Sequence, residues 1–338
     1  MAQKIRVSII VPVYNVAPYI ADCLWSVMHQ TYTGSMECLL VDDCGSDDSI
    51  AIAEQMIAAY EGPFQFQILH HERNSGLSAA RNTGTKAARG EYLYYLDSDD
   101  EITEDCIERL MGKVAEYPDV EMVQGNVCMH RMDHKHHTFV KNNKAPLTVD
   151  NNDTRKCRYE YGQIYDCVWN KLLKRDFVVN NNIICQKGII REDVLWVFYL
   201  IKYLKKACFV SEVTYHYKVR PHSIMTGTDH RTEGINLCTI YSIILNDLTP
   251  GHELDEFDYY GRRISREYIR FVRDVPDFNK VLQLCKDKCK FYGNRLLQLR
   301  LTVASVLGHL KFGQEIWTLL EWQKHPIIKI KAKLNALG

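Results

Sequence analysis

Four short runs of β-branched and aliphatic residues fill the first hundred positions. Each ends in a polar cluster, with amphipathic helical patterns between them, and this alternation constrains the fold more than any other feature. The strands read as Val7–Val13, Glu37–Val41, Phe66–His70 and Tyr92–Leu96. Helical patterns lie between them at Ala17–His29, Asp47–Tyr60 and Leu77–Ala88, with Ser46 or Asp47 as an N-cap and Gly76 as a break before the third. The expected class is therefore α/β, a mixed and mostly parallel sheet flanked by helices. Ligands of such sheets bind beyond the carboxyl ends of the strands, where every polar cluster below falls.

After Asp100 the pattern loosens. A helix is expected near Thr103–Glu116 and a strand near Val120–Val127, followed by a polar, His- and Asn-rich stretch from His130 to Asp153 that reads as a loop over the site or a hairpin. A helix–strand segment is expected over Gly162–Phe177 and a helix over Glu192–Leu204. From about Thr232 the chain is helical by period, with loop signals at Thr249-Pro250-Gly251 and Val275-Pro276-Asp277. The expected organisation is a catalytic domain over 1–228, with a nucleotide-binding half at 1–100 and a second half at 101–228, and a helical region at 229–338.

Lys+Arg and Asp+Glu are both 42, so net charge gives no argument for nucleic acid as a partner. The distribution is uneven: Lys286 to Gly338 holds ten basic against three acidic residues, a net of +7. Twelve cysteines without a C-x-x-C pair or a secretory leader read as reduced thiols, so a cytoplasmic protein is expected. The most apolar stretch, Leu296–Leu310, is interrupted by Arg300, Gly308 and His309 and is too short to span a bilayer.

The chemistry gathers at strand ends. Val11-Pro12-Val13-Tyr14-Asn15 closes the first strand with an aromatic ring and an amide, and Leu39-Leu40-Val41-Asp42-Asp43 closes the second with two carboxylates. Each has a bland reading as packing or turn former; together they offer a pyrimidine base a stacking surface beside a hydrogen-bond acceptor. Tyr94-Tyr95-Leu96-Asp97-Ser98-Asp99-Asp100 ends in three acids within four residues. Like charges so close repel unless a cation sits among them, and carboxylate oxygens suit Mg²⁺ or Mn²⁺; an acidic helix N-terminus is the alternative. His71 to Asn82 supplies a turn, then a helix whose first turns carry Arg81 and Asn82, and Arg suits diphosphate or base-edge contacts.

With Pro12-Val13-Tyr14-Asn15, Val41-Asp42-Asp43, Asn74 to Asn82 and Asp97-Ser98-Asp99-Asp100 in this order and spacing, the chain resembles the inverting family-2 glycosyltransferases with the GT-A fold of bacterial cell-surface polysaccharide synthesis, over roughly residues 5–115. The resemblance implies that Pro12, Tyr14 and Asp43 hold uracil, with Asn15 beside them. It implies too that Asp97, Ser98 and Asp99 address ribose, metal and diphosphate, and that Arg81 lies near base or phosphates. One departure is Cys44-Gly45-Ser46, where the family usually has Gly-Ser-Thr, while Asp47 keeps its place.

A weaker resemblance covers Val168-Trp169-Asn170-Lys171-Leu172, Gly188 to Asp193 and Tyr215 to Ile224. It makes Asp193 the general base, with Glu192 modulating it; inversion needs a base on the face of the sugar opposite the leaving group. It also brings Asn170 and Lys171 to the donor sugar or acceptor, and Arg220, His222 and Ser223 over the diphosphate.

Other features read blandly. His130, His134, His136 and His137 sit in a polar run without a Cys or Glu partner at site-like spacing, and Cys285 and Cys289 read as buried thiols. The aromatic, basic tail (Trp317, Trp322, Lys324, Ile327, Lys329, Lys331) reads as a surface for anionic membrane or as a packed helix, the first being favoured because many members of the family it resembles use lipid-linked acceptors. The expected function is transfer of a hexose or N-acetylhexosamine from a UDP-sugar to a saccharide or lipid-linked acceptor, with Mn²⁺ or Mg²⁺. The alternative is a binding module that keeps the fold without turnover. A dehydrogenase is disfavoured by the absence of Gly-x-Gly-x-x-Gly after the first strand.

Overall fold

The computed structural model describes residues 5–131, 137–140, 148–160, 162–220, 227–248, 254–310 and 313–318. His222, Ser223 and the tail beyond 318 lie outside them. The chain divides into two compact units, Met1–Gly227 and Thr228–Gly338.

In the first unit β1 (Val7–Val13), β2 (Met36–Asp42), β3 (Gln65–His70) and β4 (Tyr92–Tyr95) run parallel in the order β3-β2-β1-β4. Helices α1 (Ile20–Met28), α2 (Ser49–Ala58) and α3 (Leu77–Ala87) connect them. All seven residues of β1 are buried, as befits a strand covered on both faces. Pro12 is tolerated in this central strand because β4 pairs only as far as Ile10, so no N–H is required of it there. Alternate residues of the strand share a face: Val7, Ile9 and Val11 pack in one core with Leu24 and Val27 of α1, each burial stabilising by about 1.5–3 kcal/mol.

The sheet continues through β5 (Glu101–Ile102), α4 (Cys106–Glu116), β6 (Met122–Arg131), β7 (His137–Val140), β8 (Thr148–Asp150) and α5 (Asn151–Tyr159). It ends with β9 (Lys171–Lys174), α6 (Arg175–Asn180), α7 (Glu192–Tyr203) and β10 (Lys206–Val219). β9 inserts antiparallel between β4 and β6, and β10 pairs parallel with β6. One expectation is corrected here: the Gly162–Phe177 segment runs strand then helix, the preceding helix lying at Asn151–Tyr159. Of the two forms expected for the His130–Asp153 stretch, its described part takes the hairpin, pairing β6 with β7. The longest strand described, β10, lies in a mixed polar sequence whose apolar run is broken, so its strand pattern is weak.

The second unit is helical: α8 (His230–Asp247), α9 (Leu254–Phe271), α10 (Phe278–Tyr292) and α11 (Arg295–Leu307). Asp229 caps α8 by accepting from Thr232 N at 2.9 Å. Ile240, Tyr241, Phe257, Ile264, Phe271 and Phe278 form its interior. All twelve cysteines are free thiols, and only Cys44 is exposed, so Cys285 and Cys289 are buried thiols.

Candidate active site

The site is built at the carboxyl ends of β1, β2 and β4. Tyr14 leaves β1 and is 48% exposed, while Pro12 is buried in the strand. Asn15 turns the chain in a left-handed conformation (φ 51°) and accepts from Ser46 N at 2.8 Å, tying the β1 end to the loop after β2. Asp42 accepts from Cys44 N at 3.0 Å and contacts His70 Nδ1 at 2.9 Å. Asp43 is buried, accepting from Ser75 N at 2.8 Å and Gly76 N at 2.7 Å, with His71 Nδ1 at 2.6 Å. The carboxylate expected to read a base thus first fixes the loop that leads into α3. Gly76 has φ 86°, a conformation that favours glycine.

The acids after β4 divide sharply. Asp100 is buried, accepting from Tyr215 Oη at 2.7 Å and Lys218 N at 2.8 Å; burial, then Asp99 and Asp97, hold its pKa well above the carboxylate range. Asp97 and Asp99 keep part of their surface exposed. Asp97 receives Arg81 Nη2 at 2.6 Å, and Asp99 receives Arg220 Nε at 2.5 Å. Burial and the charge of Asp97 push Asp99 up, against the pull of Arg220. Ser98 between them is buried. The Arg220 guanidinium also lies over the Tyr19 ring, 5.2 Å from its centroid.

Arg81 is the hub. Its buried guanidinium donates to Asp97 on one side and through Nη1 to Glu192 Oε1 at 2.7 Å on the other. Asn82 beside it exchanges two hydrogen bonds with the Cys185 backbone, at 2.8 and 2.9 Å, docking α3 against the loop before α7. That loop enters α7 through Arg191 at φ 64°. Asp193 follows in the first turn, its Oδ1 accepting from Val194 N at 2.9 Å. Part of its surface is open, yet burial is the largest influence on it; with Glu192 and Asp166 adding, its pKa is pushed up to about 7, against Arg191 and Arg81.

Asn170 and Lys171 require a correction, since both are fully buried and present no surface to a ligand. Asn170, at φ 57°, donates to Gly125 O and Asn126 O at 2.9 and 3.2 Å and accepts from Tyr94 Oη and Thr214 Oγ1 at 3.2 and 2.8 Å. Lys171 Nζ donates to Cys167 O at 2.7 Å, and burial lowers its pKa. The neighbour that sequence reasoning passes over is Trp169, partly exposed and stacked on Tyr215 and Tyr217 with centroids 4.4 and 5.5 Å away. The alternating tyrosines of Tyr215-His216-Tyr217 are the available signal, because residues two apart share a strand face. His71 and Tyr215, which anchor Asp43 and Asp100, likewise show no role in the sequence alone.

The profile of Glycosyl transferase family 2 matches residues 8–178. The glycosyltransferase YibD of Escherichia coli is 26% identical over 235 residues, which cover 69% of this chain and 66% of YibD. The minor teichoic acid biosynthesis protein GgaB of Bacillus subtilis is 29% identical over 260 residues, 73% of this chain but 27% of GgaB. Among solved structures, S. aureus TarS residues 1–349 with UDP-GlcNAc superposes with a TM-score of 0.69 over 93% of this chain and 92% of that one, at 19% identity, a likeness of fold.

Proposed function

The chain belongs to glycosyl transferase family 2 and is a glycosyltransferase with the GT-A fold, and from that premise we propose an inverting transfer. A hexose or N-acetylhexosamine moves from a UDP-sugar to a saccharide or lipid-linked acceptor, with Asp193 as general base. The observation that carries this reading is the bridge from Asp97 through Arg81 to Glu192, the residue before Asp193. It couples the donor-side acid to the base-side helix through one rigid cation. A base with a pKa pushed up to about 7 is matched to abstracting a hydroxyl proton near neutral pH. The acceptor oxygen attacks the anomeric carbon as its proton passes to Asp193 and the nucleotide departs on the opposite face. Tyr14, exposed at the β1 end, offers its ring to the base of the donor.

Asp97 and Asp99 fit a divalent cation: two partly exposed carboxylates, Asp99 raised by burial and then by the charge of Asp97, form the donor set that Mg²⁺ or Mn²⁺ takes alongside phosphate oxygens. Such a cation, when bound, neutralises charge on the departing diphosphate. Arg220 would turn from Asp99 towards the diphosphate, with His222 and Ser223 following it in sequence. The UDP donor is supported by the fold shared with TarS, solved with UDP-GlcNAc. The cell-surface polysaccharide setting is supported by the teichoic acid protein GgaB. No helix among the described residues is long and apolar enough to cross a membrane; contact with an anionic membrane surface is assigned to the basic tail.

Asp193→Asn tests the reading, with UDP release measured in the presence of acceptor and UDP binding by calorimetry. Transfer is expected to fall by about 10²–10⁴ with UDP affinity unchanged. Transfer at the wild-type rate would move the base elsewhere. Chelation should abolish transfer and Mn²⁺ restore it; full activity in chelator would remove the metal from the mechanism.

A further inference from the structure

The parallel pairing of β6 with β10 sets His216 opposite Cys128 and Lys218 opposite His130. Cys128 and His130 are two apart on one strand and share a face, and His216 joins them from the next strand. The Cys128 thiol and one ring nitrogen of each histidine lie within 4.8 Å of one another. His130 Nε2 and His216 Nδ1 are 2.7 Å apart. Cys128 is buried, and both histidines are half-buried. Tyr215 and Tyr217, one position to either side of His216, point to the opposite face, where Tyr215 meets Asp100. The cluster is therefore separate from the donor site.

We propose that Cys128, His130 and His216 form a transition-metal site for Zn²⁺ or an ion of similar softness. One thiolate and two imidazoles are a donor set that Zn²⁺ favours and that Mg²⁺, an oxygen-seeking ion, does not. Tetrahedral Zn–N bonds place two ligand nitrogens roughly 3.3 Å apart, so side-chain shifts of an ångström or less convert the observed contact into coordination. The Cys128 S–H bond breaks on binding, its proton passes to solvent, and the sulfur pair forms the metal bond. The fourth position is left to water or a further ligand. The ion would clip β6 to β10 behind the catalytic face, where β6 also pairs with β7. Sequence reading discounts His130 for want of a cysteine partner; Cys128 lies two residues before it, and the strand pairing supplies the third group.

The test uses the untagged full chain, stripped of metal and given one equivalent of Co²⁺. A thiolate-to-cobalt charge-transfer band in the near ultraviolet is expected. It should vanish in Cys128→Ser and persist in Cys44→Ser, which removes the exposed thiol. His130→Gln and His216→Gln, which keep the thiol, should each weaken Zn²⁺ at least about tenfold in competition with a chromophoric chelator. Thermal stabilisation by UDP identifies folded variants, so a Cys128→Ser chain that fails to fold leaves the two histidine variants to decide. No charge-transfer band in the wild-type chain, a band that survives in folded Cys128→Ser, or unchanged Zn²⁺ affinity in both histidine variants would overturn the proposal.

Discussion

Arg81 and Glu192, 111 positions apart in sequence, meet at 2.7 Å with side chains 4% and 10% exposed. Glu192 is thereby held in place immediately beside Asp193. Because the same guanidinium also grips Asp97, α3, the end of β4 and the start of α7 share one cation.

Arg81→Met is expected to lower folding stability by about 3–5 kcal/mol, since it leaves buried Glu192 and partly exposed Asp97 without their shared partner. The loss should shrink as pH falls and the stranded acids take up protons. Urea midpoints at neutral and acidic pH check both statements. Arg81→Lys should restore charge but not activity, because one ammonium cannot span Asp97 and Glu192 as a planar fork does.

Asp193 gives a pH dependence of known sign. Its pKa rises on folding to about 7, so the folded chain binds that proton more tightly than the unfolded one. Its contribution is most favourable at acid pH, falls as pH climbs from the ordinary carboxylate range to about 7, and is constant above. Asp193→Asn should therefore gain stability over wild type at pH 8 relative to pH 4, on the order of 4 kcal/mol. The transfer rate should move the other way in the wild-type enzyme, rising through pH 7 as the base loses its proton. Denaturation curves and a pH–rate profile measure the two.

Asp43→Asn should destabilise by about 1–3 kcal/mol. Both carboxylate oxygens of Asp43 accept from backbone N–H groups, and an amide turns one of them into a donor facing a donor. The displaced loop leads to α3 and Arg81, so kcat/KM should fall with the melting temperature. An unchanged melt would mean that the loop is held elsewhere.

Cys44 occupies φ 59°, a conformation costing a non-glycine residue roughly 1–2 kcal/mol. Cys44→Gly should relieve that strain, offset in part by about 0.4–1 kcal/mol of extra freedom in the unfolded chain. The expected melting temperature is equal to wild type or slightly higher, with UDP affinity retained.

The parallel half is legible because its central strands are apolar runs, its edge strand β3 alternates, and its helices keep an apolar face, periods that differ plainly. β10 is less so, because Lys206, Ser211, Glu212, Thr214 and Lys218 break the apolar run. Within the site, the acids after β2 and β4 are visible as local clusters. What binds them is not: Arg81, Tyr215 and Arg220 lie 16, 115 and 121 positions from the acids they hold. Asn170 and Lys171 mislead for the same reason, since a polar side chain in a strand-end motif looks alike whether it faces a ligand or knots the interior.

The Asn170 knot bears on how such chains can be recombined. Its amide ties β4 of the first half to β6 and β10 of the second, from a backbone conformation few residues accept. A chimaera crossing over at residue 100 would take Tyr94 from one parent and Asn170, Gly125 and Thr214 from the other. Viable crossovers should be those where both parents agree on this quartet, which makes a buried amide, rather than any acid of the active site, the gatekeeper for exchanging donor specificity between relatives.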